Sequence, residues 1–252
     1  MIDLIVFKVE ENSFALNIDN VKRIIQAREL TIVPNSSPLI DGIMSYEKNV
    51  IKVLNFRKLV GLSSYEEELF KFFEHIKVDL QEWVEMLKNS IENGTDFTKS
   101  TNPNSCEFGK WLNSFNSYSE QLEEIVEHLR QNHKELHELG RHLLKLQEKD
   151  PKQAQNIFHE NVFQVYKNML GYFKKLMAQI DSIANGLQKL IIYETDEKVF
   201  AIKVDKIEDI DHIDETATMN NNDKSYSDME ILGIIDINKV LVSVIKSIKL
   251  PS

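Results

Sequence analysis

The sequence predicts an α+β multidomain chain: a discontinuous all-β domain with an antiparallel four-helix bundle inserted into it. Three observations lead there. Short β-branched runs occupy both ends of the 252 residues. Between them the apolar period lengthens to three and four residues, the period of an amphipathic helix. Residues that start and stop helices stand near the points of change.

In the first segment, Leu4-Ile5-Val6-Phe7-Lys8-Val9 and Phe14-Ala15-Leu16-Asn17-Ile18 read as strands separated by the polar turn Glu10-Glu11-Asn12-Ser13. Pro34 and Pro38 bracket a loop, Gly42 interrupts the next apolar run, and residues 50–54 read as a further strand. Leu69, Phe72, Ile76, Leu80, Trp83, Leu87 and Ile91 then form one helical stripe. A second stripe runs through Leu122, Ile125, Leu129, Leu136 and Leu143, and a third through Val162, Val165, Met169, Phe173, Leu176, Ile180 and Ile183. A short helix is expected over about 105–115.

Ser64-x-x-Glu67 and Ser117-x-x-Glu120 have the form of capping boxes, and Asp150-Pro151-x-Gln153 combines an N-cap with proline at N1. Gly94 and Gly186 stand where a glycine closes a helix. Strand patterning returns at 190–193, 199–204, 229–236 and 240–245, with a loop expected at Asn220-Asn221-Asn222-Asp223. A strand, an acidic turn and a second strand open each β-segment. The 64 residues of 1–64 or the 66 of 187–252 would bury only a small core alone, so the two segments are expected to form one domain interrupted by 65–186.

Composition narrows the function classes. A net charge of −10 argues against nucleic acid or an anionic membrane as the main partner. The single cysteine, Cys106, excludes an intrachain disulfide. The first nine residues lack the basic and apolar regions of a signal peptide, and no apolar run approaches the roughly 18–20 residues that span a bilayer. A soluble, cytoplasmic protein is expected.

The helical segment holds the cysteine and six of the seven histidines: His75, His128, His133, His137, His142 and His159. His133 and His137 are spaced i, i+4, which puts both imidazoles on one helix face, and His133 falls in the apolar stripe. Cys106 is expected at the start of the short helix, capped by Asn104 or Ser105, where the helix dipole favours a thiolate. His75 lies at the edge of the first stripe. One cysteine and three histidines would complete a closed tetrahedral zinc site. Spacing alone fits solvated or satisfied-core histidines better than a metal site, and a lone buried cysteine is more often a small hydrophobe.

Cys106-Glu107-Phe108-Gly109-Lys110-Trp111-Leu112, preceded by a histidine on the first long helix and followed by His133-x-x-x-His137, resembles the chemoreceptor zinc-binding (CZB) family. The resemblance implies a helical module over 65–186 that holds zinc at His75, Cys106, His133 and His137, with His128 or His142 the alternatives to His75. It also implies a redox role for Cys106, because the family's zinc-bound cysteine is implicated in sensing oxidants such as hypochlorous acid. Sulfenic acid formation would remove a strong ligand.

The β-segments resemble the CheW-like domain, a chemotaxis adaptor fold of two small barrels. The carrying residues include Val21-Lys22-Arg23-Ile24-Ile25, Ile40-Asp41-Gly42-Ile43, Val53 to Gly61, Val204-Asp205-Lys206-Ile207 and Ile231-Leu232-Gly233-Ile234. A CheW-like double barrel is implied, with chemoreceptor cytoplasmic tips or the histidine kinase CheA as partners. Ser45-Tyr46-Glu47-Lys48 replaces the family's usual Asn-Leu-Arg-Gly turn, which makes Tyr46, Glu47 and Lys48 the candidate docking residues. Lys52 and Asn55 replace a usual proline and aspartate.

The combined expectation is a chemotaxis adaptor in which a zinc- and redox-sensing bundle controls docking. The alternative is a scaffold that zinc merely staples, and a homodimer through the bundle is compatible with either. An enzyme is not expected: the second helix lacks His-Glu-x-x-His, and four protein ligands would leave no open position on zinc.

Overall fold

A computed structural model describes residues 2–117, 119–196, 198–213 and 226–251; the loop expected at 220–223 lies outside the described residues. Two mixed β-sheets and a set of helices make the fold α+β. The chain divides into two compact units, Met1–Glu68 with Asp181–Ser252, and Leu69–Ile180. Among the described residues no helix is long and apolar enough to cross a membrane.

The β unit contains β1 (Ile2–Val9), β2 (Asn12–Asn17), β3 (Val21–Gln26), β4 (Ile40–Tyr46) and β5 (Asn49–Asn55), followed by the short helix α1 (Phe56–Leu59). After the helical unit in chain order come β6 (Lys189–Glu194), β7 (Val199–Val204), β8 (Lys206–Ile213), β9 (Met229–Ile237) and β10 (Val240–Ile248). Their order is β8-β1-β2-β10-β9 in one sheet and β3-β6-β7-β5-β4 in the other. Each sheet is therefore built on a hairpin, β1–β2 or β6–β7, whose second strand pairs in parallel with β10 or β5. The strand after each hairpin crosses to the other sheet: β3 flanks β6, and β8 flanks β1. Both sheets thus need strands from both sides of the helical unit.

Alternation along β1 explains how one strand serves two cores. Leu4 and Val6 pack with Ala15, Ile235, Val242 and Val244, while Phe7 and Val9 face a cluster that includes Phe14, Phe56, Tyr193, Phe200 and Ile245. Phe56 stands edge-on to Phe7 and Phe14, each at 4.9 Å between ring centroids. Gly42 is required in β4, because a Cβ there would lie 2.7 Å from the Thr31 carbonyl oxygen.

A buried charge network crosses the chain interruption. Arg57, 1% exposed, donates to Asp205 at 2.5 Å and to Glu10 at 3.0 Å, pairs with Glu68, donates to the Ser63 carbonyl at 2.9 Å and stacks over Tyr65 at 5.0 Å. Lys203, 3% exposed, pairs with Glu66 at 2.6 Å and Asp41 at 3.5 Å. Asp41 also accepts from Asn55 at 2.9 Å and Lys58 at 3.0 Å.

The remaining helices are α2 (Tyr65–Asn93), α3 (Glu107–Ser114), α4 (Glu120–Gln147), α5 (Pro151–Ile157), α6 (Phe163–Met177) and α7 (Ile180–Leu187). The first turn of α2 belongs to the β unit, and most of α7 does as well. Ser64 caps α2 by accepting from the Glu67 amide at 3.2 Å, and Asp150 caps α5 by accepting from Gln153 at 3.0 Å. Gly94 ends α2 at φ 69°.

Four local expectations are corrected. Ser119, rather than Ser117, caps α4, because Ser117 instead accepts from the Ser119 amide. Gly186 lies inside α7, which runs on almost to β6. The third stripe is buried throughout but is not one helix, since a π-turn (Phe158–Val162) precedes α6 and the helix stops before Ile180. The first stripe passes through Phe73, 0% exposed, rather than Phe72. In the helical unit α4 packs on α3, α5 and α6. Phe73 meets Trp111 at 5.0 Å and Phe173 at 5.9 Å, both edge-on.

Candidate metal centre

Two devices on α2 and α4 prepare the centre. Gly140 lets Trp83 lie against α4, since a Cβ there would come within 2.4 Å of the indole. The indole N–H donates to the Ser100 carbonyl at 2.9 Å and so pins the loop that leads into α3. Arg141 holds the same loop by donating to the Thr101 carbonyl at 3.2 Å, and Lys99 pairs with Glu82 at 2.9 Å. The loop then delivers Cys106.

Cys106 itself is the N-cap of α3, the role expected of Asn104 or Ser105, and its sulfur accepts from the Gly109 amide at 3.2 Å. Gly109 explains the Cys-x-x-Gly spacing: a Cβ there would lie 1.8 Å from the Pro103 carbonyl oxygen and 3.1 Å from His133 Cε1. We therefore expect Gly109→Ala to force the Pro103 turn away from α3, destabilise the helical unit by about 1–3 kcal/mol and lower metal retention together. Unfolding followed by circular dichroism, with metal analysis on the same sample, checks this.

The donor atoms of Cys106, His133 and His137 lie within 4.8 Å of one another, with Cys106 Sγ 3.1 Å from His133 Nε2. Both histidines are 2% exposed and the cysteine is half-buried. Phe108 stands edge-on to His133 at 5.4 Å, and Trp83 covers His137 at 4.8 Å. The Nδ1 of His137 is buried and has no hydrogen-bond partner among the described residues. A buried polar atom without a partner is costly, and a metal ion would satisfy it.

Burial lowers the pKa of His133 to about 3, with help from His137, and that of His137 to about 4, partly offset by the nearby Thr101 and Ser100 backbone. Both imidazoles are therefore neutral near pH 7, the form that ligates metals. The thiol departs from the expectation of a stabilised thiolate. Burial raises its pKa above the usual value, outweighing the amides of α3, and the charge of Asp79 adds to the rise. A bound cation reverses that balance. The soft thiolate and two imidazoles form a donor set suited to zinc.

His75 is placed elsewhere. Its side chain is 61% exposed and forms a second group with Asp79, at 3.5 Å, and Glu107, at 3.8 Å. His128 stacks on Tyr172, and His159 pairs with Glu92 at 3.2 Å. A cavity of about 240 Å³ adjoins the centre, lined by Asp79, Trp83, Ser100, Cys106, Glu107 and His137 among others. Sequence reasoning passed over Asp79, whose i, i+4 spacing from His75 was the available signal.

In the β unit, Glu47 and Lys48 occupy the exposed turn between β4 and β5, Tyr46 is half-buried, and Glu47 takes a positive φ of 53°.

Known proteins resemble the chain in these same two regions. The family model of the CheW-like domain matches residues 3–75, and that of the chemoreceptor zinc-binding domain matches residues 81–144. The chain thus carries a CheW-like domain followed by a chemoreceptor zinc-binding domain, both chemotaxis modules. The second match includes Cys106, His133 and His137 and begins after His75 and Asp79. Over 67 residues the chain is 27% identical to the chemotaxis protein CheW of Thermotoga maritima, a stretch that covers 27% of this chain and 44% of that protein. The chain thus matches less than half the length of that relative. The crystal structure of the scaffolding protein TtCheW from Thermoanaerobacter tengcongensis aligns with a TM-score of 0.45 at 11% identity, covering 97% of this chain and 84% of that one.

Proposed function

We propose that this protein is a cytoplasmic chemotaxis adaptor whose docking is controlled by a zinc- and redox-sensing helical module. In this reading, residues 1–64 and 187–252 form a CheW-like double barrel, and 65–186 form an inserted antiparallel four-helix bundle. Cys106, His133 and His137 hold zinc, and the fourth donor comes from α2, which carries both His75 and Asp79. The convergence of three donors within 4.8 Å, two of them buried imidazoles, carries the reading. Bound zinc would supply folding free energy to the module and hold the Cys106 sulfur as thiolate.

The chain's own residues supply the rest. Half-buried Cys106 lines a cavity that a small oxidant can enter. Its thiolate displaces chloride from hypochlorous acid, leaving a sulfenic acid and one ligand fewer. Cys106 is also the cap of α3, so the same event loosens that helix. The first turn of α2 is held in the β unit by Arg57 and Lys203 through Glu68 and Glu66. The helix that carries His75 and Asp79 therefore begins within the domain that docks.

Docking, rather than catalysis, is the output, with chemoreceptor tips or the histidine kinase CheA as partners and Tyr46, Glu47 and Lys48 at the contact. Burial of both histidines also suits a second reading, a zinc-stapled scaffold with no sensing role. Affinity for a receptor cytoplasmic fragment or the kinase, measured on the full chain before and after stoichiometric hypochlorous acid, separates the two. We expect a change of several-fold that Cys106→Ser abolishes. Unchanged affinity in the wild type, with the thiol oxidised, would leave only the scaffold.

A further inference from the structure

We infer that Asp79 is the fourth zinc ligand and that His75 is a positioning residue holding the Asp79 carboxylate, so the centre is Cys-His-His-Asp rather than Cys-His-His-His. This deepens the proposed function and rests on its zinc-binding reading.

Three donors leave one tetrahedral position open. The cavity beside the centre is walled by Cys106 and His137, and the side chains on that wall able to act as further anionic donors are Asp79 and Glu107. His75 is not part of that wall, and its imidazole is 61% exposed. Asp79 is half-buried, between Ile76 and Leu80 of the buried stripe and one turn before Trp83, which covers His137. His137 lines the same cavity, and its buried Nδ1 has no hydrogen-bond partner among the described residues, which an ion at the centre would relieve.

Glu107 is the weaker candidate. Its side chain is 56% exposed, and it already stands in the first turn of α3, where its charge complements the helix dipole. His75 Nε2 lies 3.5 Å from Asp79 Oδ2, the relation of an outer residue that fixes a ligating carboxylate through its second oxygen. A carboxylate is also a harder donor than imidazole, which makes this the most exchangeable of the four ligands. The cavity then gives the site an entry path for the ion on the Asp79 side.

The test is cobalt(II) titration of the full-length apo protein, followed by its visible spectrum, for the wild type and single variants. Wild type should show a thiolate-to-cobalt charge-transfer band and tetrahedral ligand-field bands. Asp79→Ala should weaken binding by more than 100-fold and shift the ligand-field bands while keeping the charge-transfer band. Asp79→His should restore affinity with a distinct spectrum. His75→Ala should cost roughly tenfold, as outer residues do, with the wild-type spectrum, and Glu107→Ala should change neither. Helical content by circular dichroism verifies that each variant is folded.

The inference is overturned if Asp79→Ala leaves affinity and spectrum unchanged. It is equally overturned if His75→Ala or Glu107→Ala produces the loss expected of Asp79→Ala. Absence of the charge-transfer band in the wild type would instead remove the zinc-binding reading itself, and this inference with it.

Discussion

Arg57→Met is expected to destabilise the β unit by about 3 kcal/mol, near the low end of the cost of removing one partner from a buried ion pair. Arg57 is 1% exposed and precedes the helical unit, whereas its least exposed partner, Asp205, 13% exposed, follows it. Loss of the guanidinium leaves that carboxylate with the Glu10 amide at 2.9 Å and Gln188 at 3.1 Å, but without a countercharge. Glu10 and Glu68 are each more than a third exposed, so water screens them and they add little. The low end of the range follows from that screening. Methionine keeps much of the volume, which separates charge from packing. Urea unfolding checks the figure, and a loss below about 1 kcal/mol would show that the pair does not join the two segments of the interrupted unit.

Cys106→Ser is expected to reduce zinc content from one per chain to near zero at micromolar free zinc. The hydroxyl of serine stays protonated near neutral pH and is a poor zinc ligand, so the site loses its one strong anionic sulfur donor. Serine is also a good N-cap, so α3 should persist and the loss can be assigned to ligation. His133→Ala should match it in zinc content. It should also lower the stability of the helical unit, because it empties a space against Phe108. Metal analysis with circular dichroism distinguishes the two variants. Retention of full zinc by Cys106→Ser would remove the thiol from the site.

Much of this was legible from residue patterns. Hairpins β1–β2 and β6–β7 follow from short runs of β-formers around acidic turns, and the core stripes of α2 and α4 follow from their period. Strand β8 has a weak signal because charged and polar residues, Lys206, Glu208, Asp209, Asp211 and His212, dominate it and it is mostly exposed, although it pairs along β1. The exchange of β3 and β8 between sheets has no local signal, because it is decided by which hairpin edge each strand meets. Ser117-x-x-Glu120 has the form of a capping box, yet it is Ser119 that accepts from the Leu122 amide and caps α4.

The same division holds in the metal centre. Cys106 and His133-x-x-x-His137 announce themselves because cysteine and paired histidines are scarce. Asp79 does not, since it is one of 40 acidic residues and only the cavity sets it apart. The raised thiol pKa was also out of reach of sequence: a helix N-terminus is visible in the residues, but the burial that outweighs it is not.

The central claim is that Cys106 couples a zinc site to oxidant. Metal analysis of the purified full chain before and after graded thiol oxidation tests it most directly. The account predicts one zinc per chain, released in step with Cys106 oxidation and regained after reduction with zinc present. Zinc retained while Cys106 is oxidised would contradict it.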